Sequence, residues 1–201
     1  FAHSAKLVSY VDMPIQHGDP AILKLMKRGA TDVHIKRAVE RLRDVRPSMT
    51  FRTTVIVGFP GEKNHHFQNL MNLLAELDFD RVGAFMYSRE EGTEAATLPN
   101  HVSGRIKEKR YRTVIDWASE RQLSKNERMV GDILPVLIDR SDAEGGGYWG
   151  RYPGQAPDID GQVHVRGDKL ITGRFAPVRI ASADEENLYG YVNTDIVVVR
   201  E

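Results

Sequence analysis

The sequence predicts a partial parallel α/β barrel over residues 1–127, followed by a small all-β, OB-like barrel over residues 128–201. Three observations carry that expectation. Two segments, Val11-Asp12-Met13-Pro14-Ile15-Gln16-His17 and Thr54-Val55-Ile56-Val57-Gly58-Phe59-Pro60-Gly61-Glu62, run apolar and then turn abruptly polar or Gly/Pro-rich. Parallel barrels place their chemistry at such ends, where strands hand over to helices. Apolar runs alternate with helical stripes up to about residue 127. Beyond Gly131, short β-rich runs follow one another, separated by Gly, Asp and Pro clusters.

Residues 7–15 read as a buried strand, and 20–28 as a short helix closed by Gly29, where a residue without Cβ accepts the left-handed cap. Thr31 offers an N-cap to a helix whose apolar positions Ile35, Val39 and Leu42 recur at helical spacing and which ends near Pro47. The next strand covers 51–57. A helix over 63–77 carries Phe67, Leu70, Met71, Leu74 and Leu77 on one stripe, and a strand follows over 81–87. Strand, helix, strand, helix, strand implies parallel pairing with right-handed crossovers. A polar loop through Glu91-Gly92-Thr93 and Pro99 leads to a long charged helix over 103–129, with Ile106, Val114, Ile115, Ala118 and Leu123 as core contacts. The runs at 133–138, 162–165, 177–181, 189–192 and 195–199 then fit an antiparallel barrel of about five strands. Three parallel strands are too few to close a barrel, and an open edge is an aggregation hazard. The N-terminal half of the barrel is therefore expected to lie outside this chain, which begins with Phe1 rather than Met.

A hydrophobic fraction of 41% is enough to bury a core in each part. No apolar run approaches the roughly 20 residues that cross a bilayer, and no leader precedes a small-residue cleavage site. No membrane partner and a cytoplasmic location are the expectation. The absence of cysteine excludes disulfides and thiolate-ligated zinc or iron-sulfur within these residues. Formal charge is zero overall, yet residues 1–127 carry twenty Lys/Arg against sixteen Asp/Glu, and 128–201 eight against twelve. A surface that tracks phosphates needs the opposite sign. The acidic part fits a basic partner, and equally a solvated surface with no partner.

Period-two alternation puts Arg52, Thr54 and Ile56 on one strand face and Thr53, Val55 and Val57 on the other. An Arg in an apolar strand needs a carboxylate, either structural or from a ligand. Gly58 to Glu62 lets backbone approach a ligand, and the following helix N-terminus favours an anion; plain strand-closing geometry explains the same turn. Gln16 supplies donors and an acceptor, whereas His17 reads as a base, a ligand or a capping residue. His65 and His66 are adjacent on a helix and point about 100° apart, so they chelate poorly. Glu90 and Glu91 read as a solvated loop, and Ser88 has no His and Asp at a hydrolase spacing.

Pro14-Ile15-Gln16-His17 with Leu25-Met26-Lys27-Arg28-Gly29, Arg52 through Glu62, and Phe85-Met86-Tyr87-Ser88 followed by Glu91-Gly92-Thr93 together resemble the radical S-adenosylmethionine (SAM) methylthiotransferases, over nearly the whole chain. Gln16-His17, where relatives acting on transfer RNA tend to have Gln-Ser-Gly, Arg52-Thr53-Thr54, and Ala156-Pro157-Asp158-Ile159-Asp160-Gly161 look like the branch that modifies an aspartate of small-subunit ribosomal protein twelve. The resemblance implies a TIM-like radical SAM barrel, then a TRAM domain. It further implies S-adenosyl-L-methionine and two 4Fe-4S clusters in the full-length transferase, with every cluster cysteine upstream of Phe1, so that this chain alone is inactive. The cofactor contacts it implies are Gln16 and Arg52 for the methionyl or ribose part, Thr54 as a further candidate, Val57 and Gly58 against the adenine, and Phe85, Tyr87 and their neighbours for stacking or backbone contacts. The acidic C-terminal part then suits a basic ribosomal protein more than nucleic acid. Tyr148, Trp149, Tyr152, Tyr189 and Tyr191 form either a contact surface or barrel core. A transfer-RNA methylthiotransferase and a non-catalytic binding module are the competing readings.

Overall fold

Residue alternation along one eight-residue strand organises the first of two compact units, Phe1–Ala118 and Ser119–Glu201, in a computed structural model that describes residues 4, 6–29 and 31–193. Strand β2 (Thr50–Val57) lies between β1 (Tyr10–Asp12) and β3 (Arg81–Met86), parallel to both. Its residues alternate half-buried and buried along the whole length, so Phe51, Thr53, Val55 and Val57 face inward. Against them pack Ile35 and Val39 of α2 (Asp32–Val45), Leu70, Leu73, Leu74 and Leu77 of α3 (Asn64–Leu77), and Val114 of α5 (Gly104–Arg128). The remaining helices are α1 (Pro20–Leu25) and the single turn α4 (Glu94–Thr97), within the segment expected to be loop.

Several ends differ from the sequence expectation, each for a local reason. The first strand stops at Asp12, because Pro14 has no N–H to give the ladder; Gln16, with φ +67°, rejoins β2 by a single bridge to Val55. Helix α1 starts at Asp19-Pro20, where the Asp19 carboxylate accepts the Ala21 N–H at 2.8 Å and the Ile22 N–H at 3.3 Å. It ends before Lys27, which takes the left-handed conformation expected of Gly29. Ile106, expected in the core, is 44% exposed.

The second unit is a closed barrel of β4 (Ile133–Ser141), β5 (Tyr148–Arg151), β6 (Val163–Arg166), β7 (Phe175–Ala183) and β8 (Leu188–Val192), in the order β4-β5-β6-β8-β7. Val136, Ile138, Val163, Val165, Val178, Ile180 and Leu188 fill it. All neighbours are antiparallel except β6 and β8, which are parallel, a departure from the purely antiparallel expectation. The unexpected strand is β5, a four-residue run behind Gly145-Gly146-Gly147. The expected strand at 195–199 lies outside the described residues. Tyr148 and Tyr152 pack on the core, whereas Trp149 and Tyr189 flank His164, with ring centroids 4.7 and 6.3 Å away. Among the described residues, no helix is long and apolar enough to cross a membrane.

The turn from β7 to β8 is tied by Asp184, whose carboxylate accepts the Glu186 N–H, the Asn187 N–H and the Tyr189 hydroxyl at 2.8, 2.6 and 2.7 Å. Burial alone would raise its pKa, but the bonds from Asn187, Tyr189 and Glu186 outweigh it and hold the carboxyl below its ordinary value. A depressed folded-state pKa adds stability that is full above the unfolded value near 3.9 and is lost as pH falls through the folded one. Asp184→Asn should therefore lower the thermal midpoint at neutral pH, and its gap to the parent should close below about pH 4. A midpoint series from pH 7 to pH 2.5 checks this.

Candidate active site

Residues paired across strands share a face of the sheet. The register therefore sets Asp12, Arg52 and Arg81 in one cross-strand row, Thr54 and Gly83 in the next, and Ile56 and Phe85 beyond them toward the strand C-termini. This is the face opposite the apolar core. Arg52 Nε lies 3.7 Å from Asp12 Oδ2. A Cβ built on Gly83 would stand 3.6 Å from Thr54 Oγ1 and 3.7 Å from Arg52 Nη2, so a hydroxyl and a guanidinium border backbone that has no side chain of its own. Phe85 is 65% exposed above them. Gln16 joins through its backbone, its N–H donating to Thr54 O at 3.1 Å and its O accepting from Ile56 N–H at 2.8 Å. A non-glycine residue at positive φ at a strand end is a form of strain that clusters at functional sites.

The Gly58 to Glu62 turn is built differently from the open anion cradle its sequence suggested. Glu62 Oε2 folds back and accepts the Gly58 and Phe59 N–H groups at 2.6 and 3.2 Å, filling the slot with the chain's own carboxylate. Arg110 Nη1 ion-pairs with Glu62 Oε1 at 2.9 Å, and the guanidinium also donates to Glu62 O and Asn64 Oδ1. His17 Nδ1 accepts the Asp19 N–H at 2.9 Å, which assigns the ring proton to Nε2, 3.7 Å from Glu62 Oε2. His17 and Glu62 side chains are fully buried. His17 is thus a structural residue of a buried His-Glu-Arg cluster.

Lys107 covers the adjacent strand ends. Its Nζ donates to Tyr87 O at 2.7 Å and stands 4.9 Å from the Tyr87 ring centroid. A Cβ on Gly58, which has φ +74°, would be driven into the Lys107 stem, so the bare backbone here lets α5 come close. Tyr87 donates its N–H to Val57 O at 2.9 Å and sets its ring 5.1 Å from that of Phe59. Its hydroxyl is buried and makes no hydrogen bond among the described residues.

The predicted set therefore divides. Gln16, Arg52, Thr54 and Phe85 line or border one polar sheet face. Val57 and Gly58 do not belong to it: the Val57 side chain is wholly inside the apolar core, and Gly58 lies under Lys107 with its N–H spent on Glu62. Tyr87 sits with Phe59, His101 and Lys107 over the strand ends. Sequence reasoning missed Glu62, Arg110, Lys107, Asp12, Gly83 and Arg81. The available signal for Arg110 was its place four and seven residues before the inward-facing Val114 and Trp117, since a cation on an apolar stripe demands a partner. His66, half-buried, caps α3 by accepting the Lys63 N–H at 3.1 Å. No group of three or more His, Cys, Asp or Glu among the described residues could hold a metal ion.

Two family signatures match the sequence: the Radical SAM superfamily over residues 2–74 and the TRAM domain over 130–192. Proteins named "Ribosomal protein uS12 methylthiotransferase RimO" from Desulforamulus reducens, Heliobacterium modesticaldum and Pelotomaculum thermopropionicum are 39%, 40% and 42% identical to it, each over 94% of this chain. The chain covers 43%, 41% and 43% of their respective lengths, less than half of each. A solved structure titled "Coproporphyrinogen III oxidase (HemN) from Escherichia coli is a Radical SAM enzyme" aligns with TM-score 0.49 at 15% identity, over 72% of this chain and 39% of that one, too loosely to bear on the site.

Proposed function

Because this chain belongs to the radical SAM methylthiotransferases, in their RimO branch, we propose that it supplies the SAM-facing strands of an enzyme that methylthiolates the β-carbon of an aspartate in ribosomal protein uS12. The supporting observation is the polar face: a guanidinium, a hydroxyl and bare glycine backbone side by side on a sheet whose other face is apolar core. An amino-acid carboxylate fits a guanidinium, and Gly83 leaves room for it. Arg52 takes the methionyl carboxylate in competition with Asp12, Thr54 holds a neighbouring polar group, Gln16 reaches the ribose or methionyl part, and Phe85 and Tyr87 give apolar surface at the strand ends. Val57 and Gly58 meet the adenine through backbone atoms, since the Val57 side chain lies in the apolar core and Gly58 has none.

Reduced by a 4Fe-4S cluster, bound SAM supplies the hydrogen-abstracting radical chemistry of this family. The residues present fit SAM and do not fit either cluster, because the chain has no cysteine. The clusters therefore belong to polypeptide outside these residues, and this chain by itself is inactive. We take residues 1–127 as the barrel part and 128–201 as the TRAM domain, whose four-charge acidic excess over 128–201 suits a basic ribosomal protein.

Full-length enzyme reconstituted with iron and sulfide, and given SAM and a low-potential reductant, should add one methylthio group to uS12 and none to transfer RNA; modification of transfer RNA instead would reject the substrate. Arg52→Gln should weaken SAM binding about 100-fold, the scale of a charge-assisted pair, while affinity for 5′-methylthioadenosine, which lacks the carboxylate, changes less than about threefold. Calorimetric titration with both ligands checks the role; equal losses for the two would remove Arg52 from the carboxylate subsite.

A further inference from the structure

We propose that the cavity in the segment following β3 seats the reacting part of uS12, with Arg89 pairing with the carboxylate of the aspartate that is modified and Glu91 with a basic side chain beside it; the inference rests on the family reading above and deepens it. This open cavity of about 780 Å³ is lined by Arg89, Glu91, Thr93, Glu94 and Thr97, among others. Its segment leaves β3 at the strand end where parallel barrels carry their chemistry, and Arg89 comes two residues after Tyr87. Arg89 and Glu91 are exposed, and neither makes a hydrogen bond or ion pair among the described residues. Glu94 is answered by an ion pair with Lys27, so the charges left open in the cavity are one cation and one anion.

The frame that carries these two charges is tied along its length. Tyr87 N–H donates to Val57 O at 2.9 Å before it, and Asn100 O accepts the Gly61 N–H at 2.9 Å after it. Between them, the Thr93 N–H and hydroxyl donate to Glu90 O at 3.3 and 2.7 Å, and Thr93 Oγ1 accepts the Ala96 N–H at 3.3 Å. Open charges on a held backbone meet a ligand without the ordering cost of a flexible loop. Their signs match the substrate. A ribosomal protein is basic, yet the residue modified is an acid, so a uniformly negative mouth would draw in the protein and repel the aspartate. A cation and an anion two residues apart accept both: the planar fork of Arg89 takes the carboxylate, and Glu91 takes a Lys or Arg. The β-carbon is bonded directly to that carboxylate, so holding the one places the other.

The test is made in the full-length enzyme with its clusters and SAM but without reductant, so that nothing turns over, by measuring the Kd for uS12 and for uS12 whose modified aspartate is changed to Asn. Parent enzyme prefers the Asp form by about tenfold, as a charge-assisted pair implies. Arg89→Gln binds the two forms within about twofold of each other, and Arg89→Glu prefers the Asn form. Glu91→Gln weakens both forms equally and lowers the salt dependence. With reductant and saturating uS12, Arg89→Gln consumes more SAM per methylthio group added, a loss of positioning that a role in folding alone would not cause. SAM affinity and the thermal midpoint stay at the parent's, as for an exposed side chain with no partner in the fold. The proposal is overturned if Arg89→Gln keeps the parent's preference for the Asp form, or loses the same factor toward both forms. Parent enzyme that binds the two forms equally also overturns it while leaving the functional reading in place, whereas parent enzyme that binds neither form rejects that reading and the inference with it.

Discussion

Replacing Glu62 with Ala is expected to destabilise the first unit by about 3–5 kcal/mol, as breaking a buried ion pair from one side does. The carboxylate serves three elements together: it accepts the Gly58 and Phe59 N–H groups at the end of β2, pairs with Arg110 of α5, and faces His17 after β1. Its removal leaves Arg110, 5% exposed, without a counter-charge, and strands two backbone donors. Each stranded donor costs about 1–3 kcal/mol if water does not reach it. Glu62→Gln keeps one acceptor and loses the charge, so its cost falls between parent and Ala. The pair Glu62→Ala with Arg110→Met should recover part of the loss, because the orphaned cation goes with its partner. Urea titration of the four proteins measures this, and a single-variant cost under about 1 kcal/mol would show that the cluster does not hold the turn.

The second large effect is expected at Gly161. A Cβ there would be driven onto the carbonyl group of Glu186, backbone that Asp184 already fixes through the Glu186 and Asn187 N–H groups. Neither side can yield without opening the approach to the β6–β8 seam, where Leu188 N–H donates to Gln162 O at 3.0 Å. Gly161→Ala should therefore cost about 3 kcal/mol or more, at the upper end of overpacking effects. Gly173→Ala is the control: its φ is +80° but nothing lies within 4 Å of the added carbon, so only the backbone term of about 1 kcal/mol applies. Melting curves of both variants separate steric exclusion from left-handed strain, and similar losses at the two positions would refute the distinction.

Local signals told the reader of the sequence where the elements are, and failed where chemistry was contributed from a distance. The stripes of α2 and α3 and the alternation of β2 were legible because each lies within one short window. The packing of Lys107 against Gly58 was not legible, because the two are forty-nine positions apart and no local pattern joins them. Glu62 lies within the turn it braces, yet a carboxylate at the start of a helix equally suggests a solvated first turn. Asp12, Gly83 and Arg81 gained their meaning from register alone, since a one-residue slip would put them on the other face. Strand β5 was lost for a compositional reason: four residues behind three glycines give too short a window for alternation to register.

The parallel seam of the second unit also fixes an order of events. Val163 and Leu188, twenty-five positions apart, meet in it, and the segment between them contributes β7. Hairpins such as β4 with β5 form from neighbouring chain, whereas this seam, and the still longer-range pairing of β4 with β7 through Ile133 and Arg179, must close larger loops and form later. Refolding of the unit should thus be limited by closure of its remote pairings, and tightening the Asp184 turn, which sets β7 and β8 beside each other, should hasten it more than strengthening the β4–β5 hairpin.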